Sequence, residues 1–327
     1  MLRQNTPRMR AVRYHEHGGP EVLQVDEIDR PTPAAGEILV EMRAASINAV
    51  DTKFRAGTYG SVSLPAVPGG DGAGVVSEVG EGVEAFNVGD RVFAGGMGHD
   101  EGGTFAEYAA IPATKATHLP ESVSFEVGGA IPNVGVTAWL ALVDRIGLRP
   151  TERCLVHGGN GGVGHAAVQL GAAMGADVIA TAGSDETREG VQDLGAVAAF
   201  DYDSESLTED IRDATDGDGV DAVLDHRLDE YLGLDLAVAG QNAHIVSITG
   251  DIPAVENAPM QDKQPIIQGM AIANTPERRP VLRRLARLLE RGDLTAVIAE
   301  TRDFETVGDA HRTVSEGGYV GKVVVQP

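Results

Sequence analysis

The chain has 327 residues and 42% hydrophobic content, which is enough for one large or two ordinary domains and excludes global disorder. Its 49 acidic against 26 basic residues give a formal charge of −23, and a surface of that sign repels nucleic-acid phosphates and anionic lipids. The single cysteine, Cys154, excludes an intrachain disulfide and a cysteine-rich zinc lobe, and no apolar run is long enough to cross a bilayer.

Only four of the basic residues are lysines: Lys53, Lys115, Lys263 and Lys322. Two readings fit this acidity, an ordinary acidic cytosolic protein and a surface adapted to high salt; acid excess with depleted lysine favours the second. The 42 glycines follow no strict period, so collagen-like and low-complexity readings fail. "MLRQNTPR" is basic but no apolar segment follows it, so it reads as a loose extension rather than a signal peptide, and the cytoplasm is the expected location.

In chain order, "MRAVRY", "VLQVDEID", "EILVEMRAASIN", "GAGVVSEVG" and "DRVFAG" are short β-like segments separated by Gly and Pro. They predict a twisted β-domain or partial barrel. From about Asn133 the pattern changes. "VGVTAWLALVDRIG" has helical periodicity; "RCLVHG" reads as a buried strand with Cys154 inside it; "GGVGHAAVQLGAAMG" is a helix of small residues; "DVIATAG" is another buried strand. "SDETREGVQDLG" opens on a serine cap and ends at Gly195. "VAAFDY", "VDAVLDH" and "HIVSITG" follow as strands, so this part predicts a parallel sheet covered on both faces. "ERRPVLRRLARLLERGDL" is an amphipathic helix whose arginines form a solvated face, and "YVGKVVVQP" returns to strand character and is expected to rejoin the first domain.

The chemistry centres on Gly158, Gly161 and Gly164, which follow a predicted strand and open a predicted helix. Glycine permits a tight turn and close approach of backbone N–H groups to a diphosphate, and the helix N-terminus adds oriented donors. Gly158, Asn160, Gly161, Gly162, Val163 and Gly164 are therefore the expected cofactor cradle. An NAD-type site places a carboxylate at the end of the next strand; here the strand ends "ATAGS", with Ala182 in that place. Ser184 and Arg188 could meet a 2′-phosphate, which favours NADP(H), although Asp185 and Glu186 lie close by. Ser184 also reads as a plain helix cap, and the two roles are compatible. Thr249 and Gly250 end a later predicted strand, where open parallel sheets place ligand.

"HGGNGGVGHAAVQLGAAMGADVIAT" resembles the cofactor loop of medium-chain dehydrogenases/reductases, and in detail that of their zinc-free quinone oxidoreductase, or zeta-crystallin-like, branch. The likeness continues through "AASINAVDTKFRAGTYGSVSLPAVPGGDGAGVVSEVGEGVEAFNVGDRV", "GGTFAEYAAIPA", "GVTAWLAL" and "AHRTVSEGGYVGKVVV". The resemblance implies a GroES-like β-domain over residues 9–132, a Rossmann doubly wound parallel-sheet domain over 133–274, and a return to the first domain over 275–327. It implies catalysis in the cleft between them and a homodimer paired edge to edge, for which "AHIVSITG" is the expected edge strand. Asn48 stands where zinc-dependent relatives carry a ligand cysteine, and Gly70 and Asp71 stand where they carry His and Glu. One lone acid does not make a catalytic zinc site, which takes about three protein ligands, and the spacing of His99 and His118 supports none. The expectation is a metal-free enzyme.

By the same resemblance, Asn48 and Tyr59 are the candidate catalytic residues. Asn48 would donate to the acceptor oxygen; Tyr59 would donate a hydrogen bond or a proton, or stack on the cofactor. Asp51 is expected to hold local backbone. Thr137 resembles a threonine near the nicotinamide amide, with a helix-internal role as the other reading. Tyr202 resembles a tyrosine at the adenosine-phosphate end, Asn274 lies in a segment expected to close on the nicotinamide, and Lys322 either reaches the cofactor or is a surface cation. After "VDAVLD" the family's usual valine and two glycines are replaced by His226 and Arg227, which are expected near the nicotinamide or the cleft. The implied activity is NADPH-dependent hydride transfer to a quinone, since a hydroquinone anion delocalises its charge and hydrogen-bond donors can stabilise it without a metal. An NADPH-dependent enal or enone reductase and a non-catalytic NADPH-binding sensor or structural protein are the alternatives.

Overall fold

A computed structural model of the chain describes residues 7–60, 62–97, 102–251, 253, 260–275 and 277–327. His99 lies outside the described residues. Strands β1 (Arg8–Arg13) and β2 (Gln24–Asp29) form an antiparallel pair. The N-terminal half then supplies β3 (Glu37–Ser46), helix α1 (Ala49–Ala56), β4 (Asp71–Val79), β5 (Arg91–Gly95), β6 (Tyr108–Pro112) and β7 (Ala116–His118). Ile38, Leu39 and Val40 of β3 are all fully buried, which marks it as a central strand covered on both faces. It pairs with β4 on one side and with β6 and β15 on the other.

Helices α2 (Phe125–Ala130) and α3 (Pro132–Trp139) lead into a wider helical stretch, Leu140–Ile146, and then into the second sheet. Its strands are β8 (Arg153–Val156), β9 (Asp177–Thr181), β10 (Ala198–Phe200), β11 (Val220–Asp225), β12 (Ala239–Ser247) and β13 (Ile266–Gly269). The connecting helices are α4 (Gly162–Ala173), α5 (Asp185–Asp193), α6 (Leu207–Ala214), α7 (Leu228–Val238) and the short α8 (Met260–Lys263). All five pairings are parallel and the order is β10-β9-β8-β11-β12-β13. Strand order reverses between β8 and β11, and open α/β sheets bind ligand in the crevice at such a point. The apolar runs "CLV", "VIA" and "AVL" are buried because helices cover both faces.

"AHIVSITG" is not an edge strand. It forms the end of β12, and β12 lies between β11 and β13. Ile245 and Val246 are buried on opposite faces, as an interior strand requires, and the edge is the short β13 with Ile266 exposed.

Helix α9 (Arg279–Arg291) buries Val281, Leu282, Leu285 and Leu289 and turns its arginines outward. Strand β14 (Ile298–Asp303), helix α10 (Val307–Glu316) and strand β15 (Lys322–Gln326) complete the first sheet, whose order is β14-β15-β3-β4-β5-β7. Val324 and Val325 of β15 pair antiparallel with Ser46 and Ala45 of β3, which sets Lys322 beside the residues just after β3. The largest core runs from Ala44, Ala73 and Val324 of this sheet through α3 into α4 and β8, so the two sheets share packed side chains along the cleft.

Candidate active site

The glycine turn joins β8 to α4. Gly158 has φ of +59°, a region that side chains rarely adopt. A Cβ on Gly164 would lie 2.0 Å from the Gly158 carbonyl oxygen, so only glycine lets the first turn of α4 come this close. Gly161 caps the helix in an extended conformation, and helix geometry leaves the amides of Gly162, Val163 and Gly164 without intrahelical acceptors. The turn is pinned on two sides. The amides of Gly158 and Gly159 donate to the hydroxyl and carbonyl of Thr181 at 3.0 and 2.8 Å. The Asn160 carbonyl accepts from the Gly321 amide at 2.8 Å, and Asn160 Nδ2 donates to the Tyr319 carbonyl at 2.9 Å. Asn160 is thus a tether between the cradle and the C-terminal return. Bare amides at a helix start fit an anionic diphosphate.

At the end of β9, Ala182 is buried and offers no carboxylate. Ser184 caps α5 by accepting from the Thr187 amide at 3.2 Å. Tyr202 leans over the same bend, where a Cβ on Gly183 would lie 2.3 Å from its hydroxyl oxygen. Arg188 reaches the Ala182 carbonyl at 3.3 Å and Asp201 at 3.0 Å, and also pairs with Asp185. Arg188 and Tyr202 thus flank the bend between β9 and α5 that Ser184 ends, and two carboxylates, Asp185 and Asp201, already share the guanidinium.

Across the cleft, Asn48 starts α1 as its N-cap, and Asp51 Oδ2 accepts from the Asn48 amide at 2.7 Å. The Asn48 side chain is buried and fully oriented. Its Nδ2 donates to Asp71 Oδ2 at 2.9 Å, and its Oδ1 accepts from Lys322 Nζ at 2.6 Å. Lys322 Nζ also donates to the Ile47 carbonyl at 2.7 Å. Lys322 is therefore no surface cation: it is 3% exposed, delivered by β15 to the floor of the cleft. A Cβ on Gly162 would lie 3.2 Å from Lys322 Cδ, so the same side chain lies against the start of α4. Burial pushes the carboxyls of Asp51 and Asp71 up to about 6, against the pull of the Lys322 ammonium, and burial pushes Lys322 down. Asp71 also accepts from the Asn133 amide at 3.2 Å, which ties this cluster to α3.

The remaining expected residues are dispersed. Thr137 is buried in α3, one turn from Asn133, and its hydroxyl donates to the Asn133 carbonyl at 2.8 Å. Tyr59 is 51% exposed and packs edge-on against Phe54, apart from the buried cluster. Thr249 and Gly250 border a hollow of about 120 Å³ at the C-terminal ends of β12 and β13, with Ser247 and Met270. Asn274 is exposed in a short helical turn. Arg227 is exposed and pairs with Glu230, whereas His226 turns inward over Gly158. Asn48, Gly70 and Asp71 supply one carboxylate, and an ammonium stands beside it, a set that does not fit zinc. His118 pairs with Asp90 at 3.1 Å instead. Among the described residues no group of three or more His, Cys, Asp or Glu side chains is arranged to hold a metal ion.

Sequence reasoning missed a buried network behind the turn. His157 Nε2 meets Asp235 Oδ1 at 2.8 Å, and its ring stacks on Tyr231 with centroids 4.5 Å apart. Burial pushes His157 down to about 4, Asp225 up to about 6 and Asp235 up to about 7. Arg278 was also missed: its guanidinium covers Gly96 beside the Asp71 wall and donates to the Ile272 and Thr275 carbonyls. The one signal for the network was polar residues at the ends of apolar strand runs, "LVHG" and "VLDH".

A parallel sheet with a phosphate-type turn at its switch point, sharing a cleft with a mainly antiparallel sheet, is the architecture of medium-chain dehydrogenases/reductases. Family models match accordingly: the alcohol dehydrogenase GroES-like domain over residues 34–121 and the zinc-binding dehydrogenase domain over residues 194–325. Human quinone oxidoreductase is 33% identical over 324 residues, covering 97% of each chain. The quinone oxidoreductase of Salmonella typhimurium is 40% identical over 214 residues, 65% of this chain and 64% of that one. Among solved structures, Escherichia coli quinone oxidoreductase complexed with NADPH superposes with a TM-score of 0.87 at 29% identity, covering 97% of this chain and 100% of that one. A protein described as an NAD-dependent alcohol dehydrogenase superposes at 0.92 with 32% identity over 98% and 100%. The chain belongs to the quinone oxidoreductase, or zeta-crystallin-like, branch of the medium-chain dehydrogenase/reductase superfamily, and it is an oxidoreductase.

Proposed function

We propose that the protein is an NADPH-dependent, metal-free reductase that passes hydride to a quinone. The observation that carries this reading is the Asn48–Lys322 pair: a locked amide and a buried ammonium stand where metal ligands would be needed. Bound NADPH would supply the hydride. The amides of Gly162, Val163 and Gly164 hold its diphosphate, and Ser184, Arg188 and Tyr202 hold the 2′-phosphate. On this reading Thr137, Thr249, Gly250 and Asn274, which lie on separate elements, would border the nicotinamide half. Asn48 keeps one Nδ2 hydrogen beyond the one given to Asp71, and donates it to the acceptor oxygen as negative charge develops there. Lys322 fixes the amide through Oδ1 and adds positive potential close by. Tyr59, exposed beside Phe54, would reach in as a second donor.

Steady-state rates against a quinone panel and an enone panel, with NADPH and NADH and with chelator present, test the reading. Quinone turnover with NADPH that survives chelation is expected. Alcohol oxidation dependent on stoichiometric zinc, or binding without turnover, would overturn it. Faster enone turnover would select double-bond reduction. The same reading divides the chain at 132 and 274, places it in the cytoplasm with a salt-adapted surface, and takes a small-molecule acceptor, no nucleic acid and no membrane. A homodimer would pair through β13, whose Ile266 is exposed at the sheet edge.

A further inference from the structure

The register of the central strands puts two residues face to face at the crevice mouth. Val156 of β8 pairs with Leu224 of β11, and the His157 amide donates to the Leu224 carbonyl at 3.1 Å. The chains therefore leave the sheet level with each other, and Gly158 and His226 meet two residues beyond that pair. A Cβ on Gly158 would lie 2.7 Å from His226 Cε1, so the imidazole roofs the first glycine of the turn. Its Nδ1 is buried with no hydrogen-bond partner. A polar atom left this way costs free energy.

The ring is backed by groups that keep it there. Tyr231 of α7 lies beneath it at 6.2 Å and stacks on His157, which Asp235 holds in turn. Asp225 Oδ1 accepts from the Arg227 amide and fixes the turn that carries His226. The titratable and charged groups facing the imidazole are His157 just after β8, Asp225 from β11, and Arg227, Glu230 and Tyr231 around the start of α7, with Asp235 behind them. Asp225 and Glu230 favour a proton on the ring, while burial, His157 and Arg227 oppose it, so the free protein holds His226 below its ordinary value.

We infer that His226 contacts the cofactor: held over Gly158, its imidazole donates a hydrogen bond to the diphosphate and takes up a proton as the dinucleotide binds. This rests on the NADP(H) reading above. A diphosphate brings negative charge to a ring that faces no free carboxylate from the turn itself, and so turns the balance toward imidazolium. Affinity then rises as pH falls.

Titration calorimetry of the wild-type protein, His226→Gln and His226→Gly with NADP⁺ and NAD⁺, at roughly pH 6 and pH 8, tests this. Wild-type protein is expected to bind about tenfold more tightly than either variant near pH 6, with the difference shrinking near pH 8. NAD⁺ has no 2′-phosphate, so its proton uptake, read by comparing buffers of different ionisation heat, isolates the protein's own titration. A fraction of a proton is expected with wild-type protein. Zero uptake overturns the inference, even where both variants fail to fold. Equal affinity and equal pH slope in variant and wild type also overturn it, as does tighter binding by His226→Gly, which would make the imidazole a cover. If wild-type protein binds neither dinucleotide, the cofactor reading fails and this one falls with it; normal wild-type binding beside an unchanged variant removes only this one.

Discussion

Replacing Lys322 by Met removes the cation from a buried cluster that contains two carboxyls. The side chain loses its donations to Asn48 Oδ1 and to the Ile47 carbonyl, and Asp51 and Asp71 lose the charge that lowers their pKa values. Removing one partner from a buried charged group costs about 3–5 kcal/mol. Protonation limits the loss, because each carboxyl already stands at about 6 and a unit of pKa is worth about 1.4 kcal/mol. The folded values lie above the unfolded ones, so the stability these groups lend is complete below about pH 4 and falls as pH rises through about 6. Without Lys322 both values move higher, and the K322M curve falls more steeply through that window and beyond it. We expect K322M to lose about 3 kcal/mol near pH 8 and about half of that near pH 5. Urea unfolding at fixed salt across that range measures it. A loss that does not vary with pH, or a variant as stable as wild type at pH 8, would refute the role given to the ammonium.

Three further outcomes follow from the geometry. Gly164→Ala drives a Cβ into the Gly158 carbonyl and should destabilise by about 3 kcal/mol or more, whereas Gly161→Ala meets the same oxygen at 3.3 Å and should cost about 1 kcal/mol; equal thermal shifts would contradict this. Arg188→Ala should weaken NADPH binding about tenfold and leave NADH nearly unchanged, as read by fluorescence titration, and equal losses would remove the 2′-phosphate role. Asp235 has a folded value of about 7, so its contribution is complete below about pH 4 and is lost as pH rises through 7. Asp235→Asn should match wild type near pH 5 and exceed it by about 3 kcal/mol near pH 8, two pH units at about 1.4 kcal/mol each; a variant less stable at both would show that the His157 contact needs the carboxylate.

The local grammar of the chain was readable where one residue type answers one steric demand. Gly158 and Gly164 announced the turn because glycine is favoured at the positive φ of the first and is the residue that fits the close approach at the second, and Ser184 announced the start of α5 through its cap. The alternation of apolar runs with amphipathic helices gave the parallel sheet. Long-range placement was not readable. Nothing near Lys322 says that its ammonium ends on an amide 274 residues away, and a lysine before a strand reads equally well as a solvated cation. The position of β12 failed for a related reason, since a short strand after a long connection supplied the true edge. His157 and Asp235 come from a strand end and the middle of a helix, 78 residues apart, and their meeting depends on how α7 packs on the sheet.

The two sheets differ in how their strands are spaced along the chain. All six parallel strands lie between Arg153 and Gly269, while the other sheet joins β3 to β15 across a separation of 275 residues between Ile47 and Lys322. A polypeptide made from its N-terminus can therefore pair the parallel strands while it is still on the ribosome. Asp51 and Asp71 precede Lys322 by more than 250 residues and gain its ammonium only once β15 has paired with β3. Docking of β15 is therefore the step that neutralises the acidic floor of the crevice, and a chain whose parallel sheet has formed without it would hold an open acidic cleft.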